Sequence, residues 1–264
     1  MILRPFDPWK SELCTCPAKL SLNPYTGCPH GCLYCYASSY IPRFSFCRPK
    51  ADLLQRLHRE AAKIGPGRIA AISNSSDPYP PMEEELGLTR GCLRILKEKG
   101  FLVQIVTKSD MVTRDIDLLA GMRAAVAITV TTIDESLSSR LEPGAPSPHR
   151  RLSAIEALTE AEIPVSARID PIIPGINDSG IEELVSSLSS AGVRHITSST
   201  YKARPYSMKR IISAFPEEAE ALKALFSQGE RISGSVYLSE KIRRKIMDGV
   251  RAHASKAGIT FSTC

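Results

Sequence analysis

The stretch NPYTGCPHGCLYCYASSY, from Asn23 to Tyr40, decides how the rest of the chain is read. It sets Cys28, Cys32 and Cys35 at the spacing C-x3-C-x2-C and follows the last of them with Tyr36. Thiols crowded this way do not suit burial as inert apolar groups, and Gly27 and Gly31 let the backbone wrap tightly around a guest. Structural zinc takes four ligands, usually as two C-x2-C pairs, and no second pair lies near. Iron–sulfur clusters are held by cysteine thiolates, normally four. Three thiolates would leave one iron open to a substrate or cosubstrate. The loop reads as a metal or iron–sulfur site built on Cys28, Cys32 and Cys35, with zinc the first alternative. His30, inside the loop, is read as shaping it rather than as a ligand.

Outward from the loop, strand-like and helix-like pieces alternate. KLSLN precedes it, and ADLLQRLHREAAKI then repeats apolar residues at helical spacing before the buried run RIAAIS. EEELGLTRGCLRILKEKG is expected as a helix closing on Gly100, with FLVQIVT as the next strand. RDIDLLAGM leads to AAVAITVTT. SPHRRLSAIEALTEAE follows as a helix, with Ser147 as N-cap and Pro148 in its first turn. PVSARID, DSGIEELVSSLSSAG and VRHITSST complete the alternation, and helices near PEEAEALKALFSQ and LSEKIRRKIMDGVRAHASKAG precede a last strand, ITFST. Repeated βα units imply parallel strands with right-handed crossovers. About six units fit, short of the eight of a closed barrel. The expected fold is α/β: a partial (β/α)6 TIM-like barrel with a C-terminal helical extension. Residues 1–19 read as an N-terminal extension, 20–202 as the barrel core, and 203–264 as C-terminal helices and a final strand packed on it.

Composition fits that picture. A chain of 264 residues hides about 75% of its unfolded surface and does not depend on disulfides. Its 43% apolar and 23% charged residues are those of a globular protein. No run of eighteen apolar residues suggests a membrane span, and the N-terminus lacks the apolar core of a secretory signal. The expected compartment is the cytosol, where clustered cysteines more often bind metal or do chemistry. A net charge of +6 favours an anionic partner without demanding one.

In a βα-repeat fold the chemistry belongs at the carboxyl ends of the strands. Polar clusters stand there: NSSDPYPP after the second strand, TKS after the third, TVTT in the fourth, ARIDP in the fifth and TYK after the sixth. The cysteine loop follows the first.

Here the residues carry a resemblance. C-x3-C-x2-C followed by an aromatic, after the first strand of such a domain, resembles the radical S-adenosylmethionine (SAM) superfamily. YCY, SSDPYPPMEEELGLTR, TKSDMVTRDIDLL, LEPGAPSPHRRL and RIDPIIPGIND resemble its spore photoproduct lyase-like branch over most of residues 20–200. The resemblance implies a [4Fe–4S] cluster on Cys28, Cys32 and Cys35, and SAM on the open iron. It implies Tyr36 near the adenine, and Ser75, Ser76 and Asp77 at the methionine amino group, where an anionic Asp77 suits an ammonium. It gives Lys108 to the methionine carboxylate; because Asn74 brings no thiol, either Tyr34 takes part in hydrogen transfer or the reaction ends differently. Thr129 and Thr131, two apart and so on one face of the fourth strand, are expected at the ribose hydroxyls. Arg168 is expected to be buried and to need an anion, either the cosubstrate carboxylate or a substrate phosphate. One position departs from the pattern. Where the lyase carries a hydrogen-donating cysteine this chain has Asn74, which leaves thymine-dimer repair by that route without its thiol.

A nucleic acid is the expected substrate, from the resemblance, the net charge and Arg150, Arg151, Lys202, Arg204, Lys209 and Arg210. STYKARPYSMKRI mixes tyrosines with basic residues in a way that suits phosphate contact and base stacking. A peptide, cofactor precursor or small metabolite is the alternative. A non-catalytic iron–sulfur protein has no use for Ser76, Asp77, Lys108 and Arg168 together. A flavodoxin- or ferredoxin-like electron donor is implied. Cys14, Cys16 and Cys264 read either as a second metal site or quenching thiols, or as plain reduced cysteines, with the last strand expected beside the first. Cys47 and Cys92 read as structural.

Overall fold

The computed structural model describes residues 1–6, 16–73 and 75–264, so Cys14 and Asn74 lie outside the described residues. Seven strands run parallel in one sheet: β1 (Leu20–Leu22), β2 (Ile69–Ile72), β3 (Leu102–Thr107), β4 (Ala124–Thr129), β5 (Val165–Ile172), β6 (His195–Thr200) and β7 (Thr260–Thr263). Their order across the sheet is their order in the chain, as a series of same-handed crossovers requires. The principal helices are α1 (Leu53–Ile64), α2 (Leu88–Glu98), α3 (Pro148–Glu160), α4 (Ile181–Ser190), α5 (Pro205–Ala214), α6 (Ala219–Ser227) and α7 (Glu240–Lys256). No helix is long and apolar enough to cross a membrane among the described residues.

Apolar period explains the layers. α1 buries Leu53, Leu57 and Ala61, one stripe at i, i+4 and i+8, and α2 buries Cys92, Leu93 and Leu96. A fully buried leucine contributes roughly 2 kcal/mol, more than helix propensity offers per residue, so the buried face holds these helices in place. Cys92 is structural, as expected. In β3 every second residue is buried, so Val103, Ile105 and Thr107 share one face. A second apolar cluster joins Cys32 and Tyr34 of the cysteine loop to Tyr201, Ile211, Phe215, Leu222 and Phe226. The C-terminal helices thus press directly on the loop.

Three local expectations change. The helix expected over EEELGLTRGCLRILKEKG is broken at Gly87, whose φ of +56° separates a short turn, Glu83–Leu86, from α2. The last strand does not lie beside the first. β7 pairs with β6, Thr260 opposite His195, because α7 returns the chain as one more right-handed crossover; the free edge of β1 carries Arg4–Pro5, antiparallel. β4 ends at Thr129, so Thr131 stands beyond the strand instead of sharing its face.

Ser147 caps α3 as expected, its hydroxyl accepting from the Arg150 N–H at 3.4 Å with Pro148 in the first turn. A bond that long sits at the weak end for caps. Ser147→Ala should cost about 0.5–1 kcal/mol, read as a lower urea midpoint at unchanged slope; an unmoved midpoint would remove the cap from the account.

Candidate active site

The cysteine loop is built by close backbone approach. Gly27 has φ +86°, and a Cβ there would stand 2.5 Å from the Phe46 carbonyl oxygen and 2.6 Å from that of Phe44. The segment that crowds it also accepts the Cys28 N–H, at the Phe44 carbonyl, 2.8 Å. From the other side the run Leu141–Gly144 forms a floor. The Leu33 N–H donates to the Leu141 carbonyl at 2.9 Å, and the Gly144 N–H to the His30 carbonyl at 2.8 Å. A Cβ on Gly144 would meet the Pro29 carbonyl oxygen at 2.3 Å, so only glycine fits that floor. Arg210, on α5, closes the third side by donating to the carbonyls of Gly31 (2.5 Å) and Cys32 (2.9 Å).

Cys28, Cys32 and Cys35 line one cavity of about 510 Å³, shared with residues 38–45, Tyr206 and Arg210. No group of three or more His, Cys, Asp or Glu side chains among the described residues closes around a single ion. Three thiols lining one shared space suit a multi-iron cluster, whose ligands bind different irons. Burial pushes the Cys28 and Cys35 thiols up and takes Cys32 to about 12. Such thiols stay protonated unless a metal takes their protons' place. The donor set fits an iron–sulfur cluster.

The strand ends supply none of that cavity's lining, but Asp77 and Lys108 reach the cysteine loop itself, at His30 and Tyr34. Asp77, buried, accepts from the Tyr79 N–H (3.0 Å), the Thr107 hydroxyl (2.8 Å) and the Lys108 N–H (2.8 Å). It thereby joins the ends of β2 and β3. His30 Nδ1 lies 3.6 Å from the same carboxylate, and burial pushes its imidazole below the ordinary value, which fits a loop-shaping role. Ser75 donates its N–H and hydroxyl to Asn23 Oδ1. Ser76 Oγ is buried with no hydrogen-bond partner among the described residues. Ser73, before it, holds a left-handed φ of +75° and donates its hydroxyl to the Ser76 carbonyl. A strained turn that buries an unsatisfied hydroxyl is the kind of cost binding sites carry. Lys108 places its ammonium 5.5 Å from the Tyr34 ring centroid. Burial opposes its charge, yet Cys32 and Glu142 together hold its pKa above the ordinary lysine value. Tyr36 stacks on Tyr40 with centroids 6.2 Å apart.

Glu142 is the residue that sequence reasoning missed. Fully buried, it accepts from the Tyr34 hydroxyl and from Thr131 Oγ1 (3.0 Å), and pairs with Arg151 Nη1 at 2.5 Å. LEPG stood in the sequence as a pattern, but a glutamate flanked by a proline turn carries no local sign of burial. Its partners correct two expectations, and Arg210 corrects a third. Thr131 has its hydroxyl engaged by Glu142. Arg151 is 1% exposed and serves an internal ion pair, so it offers nothing to a nucleic acid. Arg210 points inward at the cysteine loop. Arg168 does meet an anion, but an internal one: Asp170 of its own strand, which also accepts from Ser199 at 2.5 Å. Thr129 is buried, its carbonyl accepting from Arg151 at 3.1 Å.

Of the remaining basic candidates, Arg150 pairs with Asp110 at 2.7 Å, and Lys202 and Arg204 lie near Tyr237 and Tyr40. Arg204 also bridges to Ser39 (3.4 Å) and Ser235 (3.1 Å). Tyr40 and Tyr206, about half exposed, border the cavity with Arg43. Cys16 and Cys264 are exposed.

Comparison with known proteins gives this arrangement a context. The model of the family described as the radical SAM superfamily matches residues 22–188. An uncharacterized protein of Methanocaldococcus jannaschii is 33% identical over 182 residues, spanning 66% of this chain and 67% of that one. A radical SAM Nalpha-GlyT isomerase of Pseudomonas phage M6 is 23% identical over 253 residues, 92% of this chain and 52% of that one. Among solved structures, a mutant of spore photoproduct lyase with bound AdoMet and dinucleoside spore photoproduct superposes with a TM-score of 0.75 at 16% identity, covering 96% of this chain and 78% of that one. At that identity the likeness concerns the fold, a partial TIM barrel.

Proposed function

The chain belongs to the radical SAM superfamily, and we propose that it is an enzyme whose Cys28, Cys32 and Cys35 hold the [4Fe–4S] cluster that this superfamily uses with SAM. When bound, the pair supplies a 5′-deoxyadenosyl radical by one-electron cleavage of the sulfonium, with methionine as the other product. The observation that carries this reading is the single cavity lined by all three thiols.

The chain's own residues take the following parts. Ser76 Oγ, buried and unpartnered, is offered to the methionine amino group. Asp77, with three hydrogen bonds already accepted, fixes that turn and adds its charge. Lys108 meets the methionine carboxylate, kept cationic by Glu142 and its neighbours. Tyr36 packs against the adenine and Thr129 lies toward the ribose. Tyr34, its hydroxyl given to Glu142, positions the loop. Arg168 and Asp170 pair on the fifth-strand side, where Cys264 also meets Arg168 and Ser199 donates to Asp170.

For the substrate we favour a nucleic acid. The cavity mouth supports it: Tyr40 and Tyr206 beside Arg43 and Arg204 combine stacking surfaces with cations, and residues 184–216 hold no acidic side chain. The dinucleoside held by spore photoproduct lyase, which shares the fold, agrees with it. The reading includes a reducing, cytosolic setting and a flavodoxin- or ferredoxin-like donor; no disulfide forms among the described cysteines.

Anaerobic reconstitution followed by reduction should yield 5′-deoxyadenosine from SAM at about four irons per chain. No 5′-deoxyadenosine from fully loaded protein would end the enzymatic reading. Binding to single-stranded DNA or RNA should weaken steeply as salt rises. A flat salt response, or no binding, would move the substrate to peptides or small metabolites.

A further inference from the structure

Two of the cations packed around the cysteine loop have a carboxylate of their own: Arg151 has Glu142 at 2.5 Å and Arg168 has Asp170. Lys108 has none within ion-pair distance among the described residues, though the charges of Glu142 and Asp77 reach it. Arg210 has none within ion-pair distance among the described residues. It is half-buried on α5, borders the cavity, and gives its guanidinium to the carbonyls of Gly31 and Cys32. Taking a cation out of water costs several kcal/mol unless an opposite charge answers it, and two carbonyl dipoles answer only part. Arg210 is therefore a fixed charge with no counter-ion among the described residues.

We infer that Arg210 is a positioning residue that supplies the counter-charge to the iron–sulfur cluster and raises its reduction potential. The inference rests on the ligand set proposed above. Three thiolates outweigh the two positive charges of the oxidised core, so the assembly carries one net negative charge. One electron from a low-potential donor adds a second. A fixed cation nearby favours the more negative state, and Arg210 therefore makes that electron easier to accept. Its place is set by geometry. The two carbonyl bonds span the backbone on the approach to Cys32, and the guanidinium lies 5.8 Å from the ring of Tyr206 at the cavity mouth.

The test is an anaerobic redox titration with dithionite and low-potential dyes, followed by the electron-spin signal of the reduced cluster, on wild type, Arg210→Gln and Arg210→Lys. Iron and sulfide content and the circular-dichroism spectrum are recorded for each. Glutamine keeps a donor and loses the charge, so its potential should fall below wild type at equal iron content. Lysine keeps the charge, so its potential should lie between the two. An unmoved potential in Arg210→Gln would overturn the assignment, as would an equal fall in both variants, which would trace the effect to loop geometry. Failure of Arg210→Gln to take up iron would make the residue a structural clamp and overturn it equally. Failure of wild type to take up iron would instead remove the cluster assignment on which all this rests.

Discussion

Cys32→Ala is expected to abolish cluster assembly and, with it, 5′-deoxyadenosine formation, while the chain remains folded. The two halves of that result have separate causes. Cys32 is 9% exposed, and burial holds its thiol near pKa 12, so at neutral pH it becomes a thiolate only by giving its proton up to a metal. With it gone, Cys28 and Cys35 leave two irons without protein ligands, and a cubane held by two thiolates does not persist. The fold has other supports. The main core, from Leu22 through Leu57, Ile105, Ile128 and Ile169 to Ile259, contains none of the three loop cysteines. The mutation deletes one sulfur from the smaller cluster beside Tyr34 and Tyr201, a loss on the order of 1 kcal/mol. Iron and sulfide analysis beside urea unfolding reads both halves. Wild-type iron content in the variant would exclude Cys32 as a ligand, and wholesale unfolding would make the cluster a structural element.

How much of this was legible in the sequence follows from the range of each signal. The six expected parallel strands were read from local period, and the cysteine loop from spacings of three and two residues. Both are short-range patterns; the final strand, ITFST, was read the same way and only its partner, β6 in place of β1, was missed. Partners distant in sequence were not legible. Tyr34 meets Glu142 108 residues on, and Gly31 meets Arg210 179 residues on. A sequence presents Arg151 and Arg210 as cations and cannot say whether water, a ligand or a buried carboxylate will face them. Both were therefore assigned to an external polyanion when tertiary packing had turned them inward. Thr131 failed for a related reason: the period-two argument holds only while the strand continues, and β4 stops at Thr129. Glu83 belongs with them. It is fully buried and accepts from Tyr25 (2.5 Å), Thr89 (2.9 Å) and Arg114 (2.7 Å), within a run, EEEL, that reads as solvent-facing.

Glu142→Ala should be the most destabilising single change at the site. The pair it breaks is 0% and 1% exposed, so its loss strands the Arg151 guanidinium in an interior with no other carboxylate bonded to it. Breaking a buried pair from one side costs roughly 3–5 kcal/mol, far more than the pair gains over an apolar substitute. Glu142→Leu combined with Arg151→Met should recover part of the loss, because the stranded guanidinium is gone while Lys108 still lacks the Glu142 charge. The pH dependence has a definite sign. Burial alone would raise the Glu142 carboxyl, but Arg151, Lys108 and the Tyr34 hydroxyl outweigh it and hold the folded-state pKa below the ordinary value. A depressed pKa means that this stabilisation is complete above the unfolded-state pKa and drains away as pH falls through the folded one. Wild type should lose part of its stability over that acid window, and Glu142→Gln, which never ionises, should not show that part. Urea unfolding at neutral and acid pH measures all four proteins. A loss in Glu142→Ala below about 1 kcal/mol, or a double variant no better than the single, would mean that water reaches Arg151 and that the floor of the cysteine loop is not the dry, charge-paired layer described above.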